Sequence, residues 1–420
     1  LKEIELKAIH GLAEYARKVR LLQGNARLYL ASIILFGLGF GVYRLLFNFY
    51  ILSLGYSEGF LGTLISVNSM AALGSALPAA FVSDLLGRKR SFLLSTVLSA
   101  LAVIGVITWR HTLSFILMNA LFGMSNSLQG VTGGPFMMEN SGEEERNYLF
   151  SFSFGLQTLA GFMGNSFGGK LPAWMAGLAG VAPTSTTAYA WSLVFTAGTL
   201  LLALLPFALL KPVRITRRID SVLAPFKFAS QNLALLSKLV GPMLIISFGA
   251  GLLIPFLNVF YRSVHGRSDG VIGFLFALGS LSMGVGLLLA PPLADRLGKI
   301  QLVVISQSIS IPFLFVLGFS PWFEVSAAAY LIRGALMNMS NPIYQAFVLE
   351  QVDEDARAMI ASLVSMSWNF GWSFAPQISG WVQEGYGFAP LFFGTAGTYA
   401  IATYLSYRFF VRRSPERETT

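Results

Sequence analysis

Ser57-Glu58-Gly59-Phe60-Leu61-Gly62 and, 211 positions later (268 minus 57), Ser268-Asp269-Gly270-Val271-Ile272-Gly273 are two versions of one segment. Asp84-Leu85-Leu86-Gly87-Arg88 returns at the same offset as Asp295-Arg296-Leu297-Gly298-Lys299. Glu139, Glu143, Glu144 and Arg146 return as Glu350, Glu354, Asp355 and Arg357. Three separated clusters that stay in register mark an internal duplication, and a duplicated apolar chain places its ligand site at the seam between the copies.

Outward from these clusters the chain is strongly apolar. Hydrophobic residues make up 55% and charged residues 12%, with a mean hydropathy of +0.65. A water-facing domain carries about 25% charged residues, so this surface is built for lipid. A helix needs about 20 apolar residues to cross the hydrocarbon layer. Twelve such stretches are legible: 28–53, 59–83, 91–109, 112–138, 148–173, 186–211, 239–262, 270–294, 300–319, 322–349, 359–383 and 387–411. The reading is an all-α membrane protein with two pseudo-symmetric six-helix bundles, 27–211 and 239–411. A cytoplasmic amphipathic segment 1–26, a cytoplasmic linker 212–238 and a cytoplasmic tail 412–420 complete it.

The net charge of +9 follows the topology of the chain and is not the footprint of a nucleic-acid site. Lys and Arg crowd the N-terminal segment, the Arg88-Lys89-Arg90 loop, the linker (Lys211, Arg214, Arg217, Arg218, Lys227, Lys238) and the tail, while the alternate loops hold only Arg110, Lys170, Arg262 and Arg267. By the positive-inside rule both termini and the linker are cytoplasmic. This predicts a multi-pass protein of the plasma membrane, the inner membrane of a bacterium, working as a monomer in the bilayer. There is no cysteine, which excludes thiol catalysis and thiolate metal sites. His10, His111 and His265 fall outside the apolar stretches or at their ends. No metal or cofactor is called for, and no nucleophile–base pair lies at membrane depth, so an enzyme is disfavoured.

The loop after the second stretch resembles the signature of the major facilitator superfamily, Gly-x-x-x-Asp-Arg-x-Gly-Arg-Lys. Ala80 stands at the first Gly and Leu85 at the first Arg; in the second copy Pro291 takes the Gly position. The Asp, the second Gly and the following basic residue match in both copies. The resemblance implies the twelve-helix fold of that superfamily. It also implies a latch at the cytoplasmic ends, formed by Asp84, Gly87 and Arg88 with Glu139 and Arg146, and by Asp295, Gly298 and Lys299 with Glu350 and Arg357. The alternative is a set of ordinary surface ion pairs, worth about 0–1 kcal/mol each. In the fifth stretch Gly164-Asn165-Ser166-Phe167-Gly168-Gly169 resembles the drug–proton antiporter signature Gly-Pro-x-x-Gly-Gly, with Asn165 in place of the proline.

Two arginines lie near the middle of apolar stretches, Arg44 in the first and Arg333 in the tenth. A charge at membrane depth costs at least about 2.5 kcal/mol and faces a cavity or a partner. In the resembled fold the first, fourth, seventh and tenth helices line a central cavity. Asn48 follows Arg44 by one turn, and Met337, Asn341 and Tyr344 continue the face of Arg333. Asn119, Asn126 and Asn258 complete a polar ring. Tyr43, Phe47, Phe256, Trp368 and Trp372 supply apolar walls. No Asp or Glu lies near the middle of any stretch, so a proton, if one is coupled, must titrate a terminal acid or the substrate itself.

The expectation is a secondary transporter of a small organic solute, anionic or amphipathic, working by rocker-switch alternating access. A multidrug efflux antiporter is the alternative within the class. In that case Arg333 resembles the embedded arginine those antiporters carry in helix four, where this chain has Asn119. A non-transporting sensor or scaffold on the same fold is the alternative from another class.

Overall fold

The computed structural model describes residues 24–212, 233–352 and 354–412. The surface helix expected within 1–26, most of the linker and the tail beyond 412 lie outside the described residues, as do the side chains of Glu143, Glu144, Glu354 and Asp355. Among the described residues the chain is helical throughout.

The first six spans are Gly24–Ser53, Glu58–Leu86, Arg88–Thr108, Thr112–Glu139, Glu143–Ala179 and Thr186–Leu209. A short helix, Leu233–Leu239, occupies the end of the expected linker. The seventh span is broken, running Gly241–Leu253, a 3-10 turn Ile254–Phe256, then Leu257–Ser263. The remaining five are Asp269–Leu297, Lys299–Phe319, Phe323–Glu350, Glu354–Tyr386 and Ala389–Ser406, the last followed by a π-helical turn, Tyr407–Val411. The second, third and fourth spans recur as the eighth, ninth and tenth with both boundaries displaced by 211 residues (269 minus 58, 299 minus 88, 323 minus 112). The duplication seen in sequence is therefore a duplication of helices.

Gly87 and Gly298 show how local chemistry fixes that register. Each ends one helix and begins the next with no intervening residue, at φ 83° and 88°. Only glycine enters that region without a Cβ penalty. The Gly87 N–H donates to the Ser83 carbonyl and the Gly298 N–H to the Ala294 carbonyl, so each reversal is also capped.

Seven spans are apolar and long enough to cross a membrane on length and composition alone: the first, second, third, sixth, seventh, eighth and ninth. The fourth, fifth, tenth and eleventh are diluted by the asparagines, serines and glutamines they turn inward, and the twelfth is rich in Gly, Thr and Tyr.

Two faces of the bundle are distinguished by their loops. The terminal face carries Gly24, Arg412, Gly87 and Gly298; the distal face carries the turns 54–57, 109–111, 180–185, 264–268, 320–322 and 387–388. Toward the distal face a single hydrophobic core runs through both halves, joining Phe49, Tyr50 and Leu61 to Phe256, Phe260 and Ile272. Toward the terminal face it divides. One cluster, around Tyr29, Phe92, Phe136 and Phe207, belongs to the first half, and another, around Met243, Ile300, Tyr344 and Ile360, to the second. Met70, Gly74 and Pro78 on the second span and Phe370 on the eleventh are correspondingly exposed. The halves are joined at the distal face and part toward the terminal face.

Candidate functional site: a cationic cavity at the seam

A cavity of about 540 Å³ lies between the halves and draws its lining from both. Arg44 sits nine residues before the distal end of the first span (53 minus 44), and Arg333 ten residues after that of the tenth (333 minus 323). At 1.5 Å per residue both stand about 14–15 Å from the distal face, near mid-bilayer depth.

The two arginines differ in their surroundings. The Arg44 side chain is exposed to the cavity and makes no hydrogen bond or ion pair with any described residue. Arg333 is only 4% exposed; its NH2 donates to the Tyr399 hydroxyl at 3.0 Å and its guanidinium carbon lies 5.4 Å from the centre of that ring. The Arg333 Nε has no partner among the described residues. Tyr330 lies within electrostatic range of both guanidinium groups. No carboxylate is among the lining residues. The cavity is a cationic chamber with unused hydrogen-bond donors.

Of the residues picked out by sequence, Arg44, Phe47, Asn48, Asn119, Asn258, Arg333, Asn341 and Trp368 line this cavity, with Tyr43, Met337 and Trp372. Asn126, Tyr344 and Phe256 do not. Tyr344 is buried in the second half and its hydroxyl donates to the Leu239 carbonyl at 2.8 Å. Phe256 is fully buried, because the 3-10 turn rotates Pro255 toward the cavity and Phe256 into the core. Helical spacing extrapolated through a proline cannot register that rotation. The cavity also takes Asn68 and Ser69, Asn165, Phe276, Ser280 and Met283, Tyr330, Asn338, and Tyr399. Sequence reading missed most of these because they come from the second, fifth, eighth and twelfth spans. Asn165 carried a signal, as the polar residue standing where the antiporter pattern has proline.

Asn48 and Asn258 are engaged with each other. Asn48 Nδ2 donates to Asn258 Oδ1 at 2.9 Å and to the Pro255 carbonyl at 2.7 Å, while Asn258 Nδ2 donates to the Leu45 carbonyl at 2.8 Å. The carbonyls they satisfy include one freed where the seventh span breaks. These bonds form the distal floor of the cavity.

Beyond the floor, Arg262 and Asp269 of the second half form an ion pair that inserts into the first half. The Tyr189 hydroxyl donates to Asp269 at 2.8 Å and accepts from Arg262 at 2.6 Å, and the Arg262 guanidinium stacks 3.3 Å over the Phe49 ring. Asp269 opens the eighth span, where the helix dipole favours a carboxylate. Glu384 accepts from the Gly59 N–H, and Ser66 Oγ from the Gln377 N–H. These hydrogen bonds, which join the halves, all lie in the distal region. Small residues permit the approach: Gly169 packs on the backbone of Asp269 and Gly270, and Gly380 on that of Glu58 and Gly59. Gly164 and Gly168 instead pack against the first span.

At the terminal face the ion pairs among the described residues are confined to single halves. Arg88 donates to Asp84 at 2.7 Å and to Glu139 at 3.0 Å, and Lys299 pairs with Glu350. Both pairings link residues 51 apart (139 minus 88, 350 minus 299), as the repeat requires. Glu139 and Arg146, and Glu350 and Arg357, grouped at the same joints by sequence, are not paired with each other in this structure. Glu139 is held by Arg88, Arg146 Nε is buried without a described partner, and Arg357 Nε donates to the Leu349 carbonyl. The glycine reversals put Arg88 and Lys299 first in their helices, nearest the acids that end the fourth and tenth spans.

Residues 29–242 and 239–420 each match the Major Facilitator Superfamily family model. The multidrug resistance protein MdtG of Dickeya zeae (strain Ech586) is 26% identical over 194 residues, 45% of this chain and 47% of that protein, so the match spans about half the length of that relative. Among solved structures, a mutant of the nucleoside transporter NupG superposes with a TM-score of 0.75 at 16% identity, covering 92% of this chain and 100% of the other. A bacterial homologue of the human lysosomal transporter Spinster, in an inward-facing occupied conformation, gives 0.73 at 14% identity, with coverage of 92% and 97%. The D-xylose–proton symporter gives 0.68 at 16%, with coverage of 91% and 97%. At these identities the structural likeness speaks for the fold.

Proposed function

The chain belongs to the Major Facilitator Superfamily, and from that premise we propose that this transporter of small solutes carries an organic anion with an apolar or aromatic body. The observation that carries the reading is Arg44, a cation open to a cavity that contains no carboxylate, with no described partner. A guanidinium kept unpaired at membrane depth is stabilised when it binds an anion, and its planar fork suits carboxylate, sulfonate or phosphate. Arg333, steered by Tyr399, is the second contact. Phe47, Phe276, Trp368 and Trp372 form walls for an apolar body. A chamber of this size falls in the range of ordinary small-molecule sites, about 300–1,000 Å³.

Transport follows from the halves rocking about this site. The distal contacts of Asn48, Asn258, Tyr189, Arg262 and Asp269 close one entrance. The terminal clusters of Asp84, Arg88 and Glu139, and of Lys299 and Glu350, are placed to engage the facing half when the other entrance closes. Asp295, Arg146 and Arg357 stand at the same ends. Both termini then lie in the cytoplasm of a bacterial inner membrane, and the structure corresponds to the inward-open state. The test is counterflow in proteoliposomes. Arg44→Ala and Arg333→Ala abolish it while insertion and melting behaviour persist; full activity in both variants removes the anion site.

A multidrug efflux reading is favoured by the resemblance to MdtG and by the aromatic walls. It predicts neutral and cationic substrates and little loss when either arginine is replaced.

A further inference from the structure

Resting on the anion-carrier reading, we infer that this protein is an obligatory exchanger: the empty carrier cannot reorient, so an anion moved one way must be replaced by an anion moved back. In the structure water can reach Arg44 from the terminal face, because the two halves part there. To turn the cavity around, the halves must first close over it. Closing strips the water from Arg44 beside the already buried Arg333, and two desolvated guanidinium groups sharing one chamber require a counter-charge.

The described residues supply none. Every described acid stands at one end of the bundle or the other. Asp84 and Glu139 are held by Arg88, Glu350 by Lys299, Asp269 by Arg262, and Glu324 by Arg267 at 3.6 Å. Glu384 accepts the Gly59 N–H, and Glu58, Glu145 and Asp295 lie in the end turns of their helices. None lines the cavity. Tyr330, within electrostatic range of both arginines, is a phenol and not a carboxylate, and does not cancel their charge. A bound anion is therefore the missing counter-charge. A carrier with an internal carboxylate would close empty on its own ion pair; this one closes when loaded. The consequence is a one-for-one swap of anions in place of net flow.

These 420 residues contain no cysteine, so paired spin labels can be introduced directly. Leu85→Cys with Leu297→Cys reports across the terminal face and Leu178→Cys with Tyr386→Cys across the distal face, all four being exposed positions. Without any anion in the buffer, wild type in nanodiscs shows one distance population at each pair. Arg44→Gln with Arg333→Gln adds a second population, shorter at the terminal pair and longer at the distal pair. Tyr330→Glu, which leaves both arginines in place and supplies the carboxylate, does the same and guards against a misfolded double variant. In flux, benzenesulfonate enters benzenesulfonate-loaded vesicles roughly ten- to a hundredfold faster than empty ones. Two populations in the empty wild type, one population unchanged by the variants, or equal entry into empty vesicles overturns the inference. The anion-carrier reading is judged separately, by whether binding of benzenesulfonate depends on Arg44.

Discussion

Arg44 and Arg333 stand at matching depths on the first and tenth spans, facing one chamber with Tyr330 within electrostatic range of both and no carboxylate among the lining residues. Their inequality is as informative as their pairing. Arg44 is open and unpartnered among the described residues, whereas Arg333 is buried and steered by Tyr399. On the proposed reading Arg44 is the residue that meets an incoming anion, and Arg333 the one whose geometry is already set.

Arg44→Lys should separate charge from fork geometry. Lysine keeps the charge but loses bidentate bonding, so anion affinity falls by about 1–2 kcal/mol, roughly five- to thirtyfold. Arg44→Ala loses substantially more. Titration calorimetry with benzenesulfonate distinguishes them, and equal losses would show that only the fork matters.

Tyr399→Phe removes the hydroxyl that orients Arg333 and leaves the ring. A lost hydrogen bond to a charged group is worth about 1.5–3 kcal/mol. Affinity should fall while the pocket keeps its shape, read as weaker binding with an unchanged selectivity among aromatic bodies of different size.

Tyr189→Phe removes the only hydroxyl by which the sixth span holds Asp269 and Arg262 across the seam, among the described residues. The distal closure weakens by about 1–3 kcal/mol. A cysteine introduced at Tyr43 then reacts faster with a membrane-impermeant maleimide added from the distal side; an unchanged rate would remove the cluster from the gate.

The two terminal clusters should respond unequally. Arg88 has a side chain 10% exposed and serves both Asp84 and Glu139, so Arg88→Ala leaves a half-buried Glu139 without its cation. Lys299, at 40%, serves a largely exposed Glu350, a pair worth about 0–1 kcal/mol. The melting temperature in detergent should drop clearly for Arg88→Ala and little for Lys299→Ala.

His265 lies in the distal loop, where burial and then Arg267 hold its imidazole below the ordinary range, with Glu324 opposing. The folded protein therefore binds this proton less readily than the unfolded chain. Stability is unaffected above the ordinary imidazole value of about 6.5 and declines as pH falls from there toward the folded value. A melting series from pH 8 to 5 should show that decline, and His265→Gln should flatten it.

The fold was legible in the sequence because its causes repeat. Glycine at 87 and 298 permits only one reversal, and the acids and cations around it return 211 residues later, so helix count and symmetry follow. The cavity was legible only along helices that run straight. Asn341 lines the cavity with Arg333, but Tyr344, a turn further on, passes into the second half's own core. Phe256 failed because the seventh span breaks beside Pro255. Asn48 and Asn258 line the cavity, but periodicity does not reveal that they bond each other across the seam. Tyr330 and Tyr399 were missed because a tyrosine in an apolar stretch looks like packing until an arginine is seen beside it.

The most direct measurement compares benzenesulfonate with benzenesulfonamide, near-isosteres that differ in charge, by quenching of tryptophan fluorescence from Trp368 and Trp372. Wild type should prefer the sulfonate at least about tenfold, and Arg44→Gln should erase the preference while still binding the neutral ring weakly. Equal binding of both compounds by wild type, or a preference for the amide, would contradict the account.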